Sequence, residues 1–139
     1  MSAKRTFSVI SAGAFAAAAL TITGATPAAA DTCMSAADKG GYEIYYNSNQ
    51  DSAWQGFAWN DANHYDDYFM CKGNGNGYTQ VVKNNAAYVV NWNNSSGVRI
   101  YYNSNYQGAS QTFGKVFSST YAGPLNSTLK NNNASSHYV

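Results

Sequence analysis

Across residues 41–139, apolar and polar positions alternate in short runs. Residues 42–46 (YEIYY) combine aromatic and β-branched side chains and predict a strand. Turn chemistry follows at 47–52, and a second short strand is expected over 54–59 (WQGFAW). Residues 60–67 (NDANHYDD) are polar and irregular, 68–71 (YFMC) are apolar, and 72–77 (KGNGNG) alternates Gly with Lys or Asn, which only a loop accommodates. Strands over 78–83 and 87–92, joined by an Asn84-Asn85 turn, close the first half. The scheme then repeats: strands over 98–102 and 109–113, a looser stretch to Pro124, a strand near 125–129, a turn at Asn131, Asn132 and Asn133, and a last strand to Val139. No segment keeps an apolar face at helical spacing for ten residues or more. About eight short strands with turns at near-regular intervals predict an all-β fold, a two-sheet antiparallel sandwich.

The repetition extends to residue identity. The hexapeptide IYYNSN occurs at 44–49 and again at 100–105. An aromatic-Gln-Gly triplet follows each copy, Trp54-Gln55-Gly56 and Tyr106-Gln107-Gly108. Further on, Val82-Lys83-Asn84-Asn85 matches Leu129-Lys130-Asn131-Asn132. The same signals in the same order mark an internal duplication, with motif one at 41–92 and motif two at 97–139. The polar run 93–97 is too short to separate independent domains, so the halves are expected to pack on each other.

Residues 1–30 read as a signal peptide. Lys4 and Arg5 form a basic start, 9–20 is small and apolar, and Ala28-Ala29-Ala30 is a small-x-small cleavage site. The apolar run is shorter than the ~20 residues of a membrane span and is broken by Ser and Gly. Cleavage leaves one domain, 31–139, expected to be extracellular and, once processed, free of the membrane. That stretch carries six Lys and Arg against seven Asp and Glu, a net charge of −1. A chain so near neutral has no electrostatic footprint for nucleic acid or for an anionic membrane. Cys33 and Cys71 are the only cysteines, and an oxidising compartment favours their pairing. Closing that loop is worth roughly 4 kcal/mol in the chain-entropy account. One Cys pair without paired His cannot fill a tetrahedral zinc site.

The spacing in motif two is the most specific signal. Tyr101 and Tyr102, then Tyr106, Gly108 and Phe113, resemble the Greek-key signature of βγ-crystallins. Gly108 can take positive φ where the hairpin folds over, with the aromatic pair packed beneath it. Paired motifs, the IYYNSN starts and the LKNNNASS finish are further similar to peptidase inhibitor family I36, the Streptomyces metalloproteinase inhibitor family. The resemblance implies a two-Greek-key βγ-crystallin-like sandwich that is not an enzyme and that blocks a secreted, thermolysin-like metalloprotease as a monomer.

Three candidate sites follow. Residues 60–77 have no counterpart of equal length in motif two, and Cys71 tethers them. A rigid scaffold can present such a segment to a protease as a peptide too constrained to leave. Tyr68, Phe69, Met70, Cys71 and Lys72 are the expected inhibitory segment, with apolar side chains suited to a hydrophobic specificity pocket; Phe69 and Met70 equally suit the core of a strand. Residues 131–136 (NNNASS) fit the superfamily's calcium pattern, which makes Asn131, Asn132, Asn133 and Ser135 candidate ligands of a weakly held calcium ion, the only cofactor expected. The equivalent turn, Asn84-Asn85-Ala86-Ala87, lacks the hydroxyl. In either turn, Asn and Ser can instead satisfy local backbone groups. Asp61, His64, Asp66 and Asp67 form the densest titratable cluster, but no nucleophile accompanies them, and they are expected in a solvated loop. His137 is expected on the last strand. Rival readings are a calcium-stabilised structural or stress module, and a secreted antimicrobial or cell-wall-binding module whose Tyr-rich surface stacks on sugars.

Overall fold

The structure, a computed structural model, describes residues 32–139. The proposed signal peptide lies outside the described residues. A 3-10 turn (Ala37–Lys39) precedes seven strands: β1 (Tyr42–Tyr45), β2 (Trp54–Phe57), β3 (Tyr88–Asn91), β4 (Val98–Asn103), β5 (Gln107–Phe113), β6 (Ala122–Pro124) and β7 (Ser135–Tyr138). They form two antiparallel sheets, ordered β2-β1-β3-β6 and β5-β4-β7.

The duplication is visible in the register. Ile44 lies opposite Val89 in the first sheet, and Ile100 lies opposite Ser136 in the second. Each half lends one segment to the other's sheet. Motif two supplies β6, whose Gly123 faces Val89 on β3. Motif one supplies a single bridge, Asp61 to Ser136 on β7, with reciprocal backbone bonds of 2.7 and 2.8 Å. This exchange locks the halves together around one core of Tyr42, Ile44, Phe57, Phe69, Val82, Val89, Val98, Ile100, Phe113, Leu125 and Leu129.

All four residues of β1 are buried, because both faces of its sheet are covered. Tyr42 and Ile44 face the core, with the Tyr42 and Phe57 rings stacked at 5.2 Å. Glu43 and Tyr45 face the other side of the sheet, where the N-terminal arm crosses Gly56, the partner of Glu43 on β2. A Cβ on Gly56 would collide with the Met34 carbonyl, so that position needs glycine for close approach. The Cys33–Cys71 disulfide forms as expected and ties this arm down. On that face, the Tyr45 hydroxyl donates to Glu43 Oε2 at 2.7 Å, giving the buried carboxylate a partner.

Two expected strands do not form, and the count falls from about eight to seven. Residues 78–83 make consecutive turns, with Thr79 at φ 65° and bonds Tyr78 N to Gly75 O and Gln80 N to Gly77 O. Residues 125–129 are a turn capped by Asn126, whose Oδ1 accepts the N–H groups of Thr128 and Leu129. The strand lies just before it, at β6. Local side-chain capping outcompetes the apolar character of Leu125 and Leu129, which reach the core from a turn.

Candidate functional site

The segment after Asp67 enters the sheet edge before it reaches solvent. Tyr68 bridges Val81, and Phe69 exchanges backbone bonds with Gln80 and Thr79, each 3.0 Å. Cys71 then pairs with Trp54 through bonds of 2.9 and 3.3 Å. The Phe69 ring is fully buried, edge-on to Tyr46 at 5.7 Å. Phe69 and Cys71 of the expected inhibitory segment are therefore interior, because strand alternation turns both inward. Met70 is half-buried, with its N–H on Gln55 Oε1, while Tyr68 and Lys72 are exposed.

Beyond Cys71 the chain forms a compact loop. Lys72 sits at φ 61°, a conformation that L side chains adopt only at a cost of about 1 kcal/mol. Gly75 N bonds Lys72 O at 2.6 Å, and Ala53 N bonds Asn76 O at 3.0 Å. The Asn76 amide donates to Asn47 Oδ1 at 3.2 Å. Gly77, at φ 87°, lies so close to the Tyr46 ring that a Cβ would collide with it. The loop is held at its start by the disulfide and β-bridge, and at its end by contacts to the β1–β2 turn. Lys72, Gly73, Asn74, Asn76 and Tyr78 remain exposed.

The two Asn turns are related by the duplication. Asn84 and Asn131 both take left-handed φ, 62° and 58°. Asn84 N bonds Asn133 O, and Asn131 N bonds Ala86 O, both at 2.8 Å. The expected calcium donors are largely committed within the chain. Asn133 Oδ1 accepts from Ala86 N, and its Nδ2 donates to Val82 O and to His64 Nδ1. The Ser135 hydroxyl donates to Asn103 O at 2.7 Å and accepts from Tyr106 N at 3.0 Å. Asn132 donates to Thr128 O and Lys130 O. Asn131 alone of the four opens onto a cleft.

His64 departs most from expectation. It is fully buried, not solvated, while Asp66 is exposed and Asp61 and Asp67 are half-buried. Its N–H bonds Ala134 O as Leu125 N bonds Ala87 O, so the imidazole fills the core position that leucine takes in motif two. Nε2 pairs with Ser136 Oγ at 2.8 Å, and that oxygen lies 2.5 Å from the Tyr42 hydroxyl. Burial pulls the imidazole down to a pKa of about 4; Lys83 adds to this, and Asp61 and Asp66 oppose it. Burial likewise pushes the Tyr42 hydroxyl well above its usual range. Ligand atoms of Asp61, His64 and Asp67 lie within 4.8 Å of one another, but a metal would have to displace a hydrogen bond at His64. Ser136, like His64, is fully buried, so the pair packs inside the domain. His137, half-buried on β7, stacks on Tyr101 at 5.3 Å and bonds its hydroxyl.

Two solved structures resemble this chain. A βγ-crystallin from an archaeon matches 71% of this chain and 96% of its own, at 13% identity and a TM-score of 0.50. A βγ-crystallin domain from Flavobacterium johnsoniae matches 70% of this chain and 92% of its own, at 16% identity and a TM-score of 0.49. No family model and no curated protein matches the sequence. The archaeal likeness shows the fold, and the paired Greek-key arrangement expected from residues 101–113 is the one observed: Gly108 has φ 80°, and the Tyr101 and Tyr106 rings meet at 6.1 Å.

Proposed function

We propose that this chain is a secreted, monomeric, non-enzymatic inhibitor of an extracellular metalloprotease of the thermolysin type, and that it acts through residues 70–78. The observation that carries the reading is the double anchoring of that loop. The Cys33–Cys71 disulfide and the Trp54 bridge hold one end; the Ala53–Asn76 and Asn47–Asn76 bonds and the Gly77–Tyr46 contact hold the other. A peptide held at both ends enters a protease cleft with little ordering cost, and if cut its ends stay in place. Met70, Lys72 and Tyr78 are the side chains offered to the enzyme; Phe69 supports them from the core. The motif resemblance to the metalloproteinase inhibitors supports the choice of target.

The test is residual thermolysin activity against increasing amounts of residues 31–139, first oxidised and then reduced. Stoichiometric inhibition that weakens on reduction is expected. Full thermolysin activity in a molar excess of the oxidised protein overturns the reading.

A further inference from the structure

The duplicated halves carry related clefts, and only one copy is filled. In motif two the IYYNSN turn faces Lys83 of motif one. The Lys83 ammonium donates to Asn63 Oδ1 at 3.0 Å and to Ser104 Oγ at 2.9 Å. Ser104 Oγ in turn donates to Asn63 Oδ1 at 3.0 Å, and Asn105 N donates to Ala62 O at 2.8 Å. Two consecutive residues of the 60–67 segment thus plug this cleft, one with its main-chain carbonyl and the next with its side-chain carbonyl.

The other copy exchanges each of these donors for its repeat partner: Lys130 for Lys83, Ser48 for Ser104 and Asn49 for Asn105. No segment of motif two reaches into it, because the chain there runs directly from β6 into the capped turn at Asn126. A cavity of about 360 Å³ remains, bordered by Ser48, Asn49, Lys130 and Asn131. Among the described residues, the Lys130 ammonium, the Ser48 hydroxyl and the Asn49 N–H make no hydrogen bond. Three unsatisfied donors at one cleft, one of them charged, occupy the repeat positions of the donors that the filled copy satisfies.

We infer that this open cleft binds an acidic peptide segment, taking a main-chain carbonyl on Asn49 N–H and the carboxylate of the following Asp on Lys130 and Ser48. Asp matches the cleft better than Asn, because the external ligand meets an exposed ammonium and a charge-assisted bond is stronger than a neutral one. The same ammonium disfavours a cation. The cleft adjoins the loop at 70–78 through Asn47, but the inference does not rest on protease inhibition.

The experiment is an NMR titration of isotope-labelled residues 31–139 with acetyl-Ala-Asp-N-methylamide, with the Ala-Asn and Ala-Leu peptides and calcium chloride in parallel. Saturable shifts are expected at the amides of Ser48, Asn49 and Asn131, with Ser104 and Asn105 unmoved as the filled control. The Asp peptide should bind more tightly than the Asn peptide, and the Leu peptide should not saturate. Lys130→Ala should weaken the Asp peptide roughly tenfold, the loss expected for one charge-assisted bond. Ser48→Ala, also at an exposed position, should weaken it less. Absence of saturation, equal binding of the Asp and Leu peptides, or unchanged affinity in Lys130→Ala overturns the inference. So does saturation of these amides by calcium without saturation by peptide.

Discussion

Motif one and motif two share core strand register and the left-handed turns at Asn84 and Asn131, yet they differ in the segments that join their strands. Motif two is the plainer copy: β5 leads through β6 to a capped turn, and Leu125 fills its core position. Motif one replaces the compact passage with residues 60–77, and that insertion makes several local differences. It puts His64 where its twin has leucine, plugs one cleft with Ala62 and Asn63, buries Phe69 and anchors the loop beyond Cys71. The contrast teaches that the duplication sets the scaffold, while one unmatched insertion makes the halves structurally unequal.

The largest expected effect comes from removing the insertion's grip on the core. Phe69→Ala should destabilise the domain by about 3–5 kcal/mol, as for other fully buried aromatics, read as a shift in the urea midpoint. This departs from the expectation that Phe69 contacts a partner; a stable Phe69→Ala domain would restore that role. Replacing Cys33 and Cys71 by Ala should cost roughly 4 kcal/mol in the chain-entropy account, with the loop at 70–78 gaining hydrogen exchange.

The acid response should separate the halves next. The His64 pKa is about 4 in the folded protein against an unperturbed value near 6.5, so the unfolded chain binds more protons between those values. Stability should therefore be full above about pH 6.5 and fall by about 3 kcal/mol as pH drops towards 4. Geometry supports this direction: a protonated Nδ1 would point a donor at Asn133 Nδ2, and the Asn133 amide cannot turn over without losing its bonds to Ala86 and Val82. Asp61 and Asp66 partly offset the effect. His64→Leu, which copies motif two, should flatten the stability profile over that range; an unchanged slope would place the proton uptake elsewhere. A smaller change is expected from Asn63→Gly, which should cost about 1 kcal/mol and open the second cleft to the acidic peptide.

The sheets were legible because both rest on repeated sequence. IYYNSN and the Asn turns appear twice, and alternation over 42–46 and 98–102 places the right residues inward. The turns at 78–83 and 125–129 escape a strand pattern because Val82, Leu125 and Leu129 are buried without strand geometry, and Asn126 caps the second turn. His64 was hidden by its polar neighbours, since Asn63, Tyr65 and Asp66 are all exposed around it. Only aligning Ala134 with Ala87, and from there His64 with Leu125, exposes its core position. The disulfide was forced by arithmetic, but the filled and open clefts depend on where an irregular segment crosses between halves, which no local pattern encodes.

The most direct test of the anchored-loop reading is the double variant Lys72→Ala/Tyr78→Ala, assayed for thermolysin inhibition and thermal stability on the same sample. Both side chains are exposed, so the melting temperature should stay within the small range of surface substitutions. Inhibition lost at unchanged melting temperature is the expected result. Inhibition retained in full by a folded double variant would contradict the assignment of the loop.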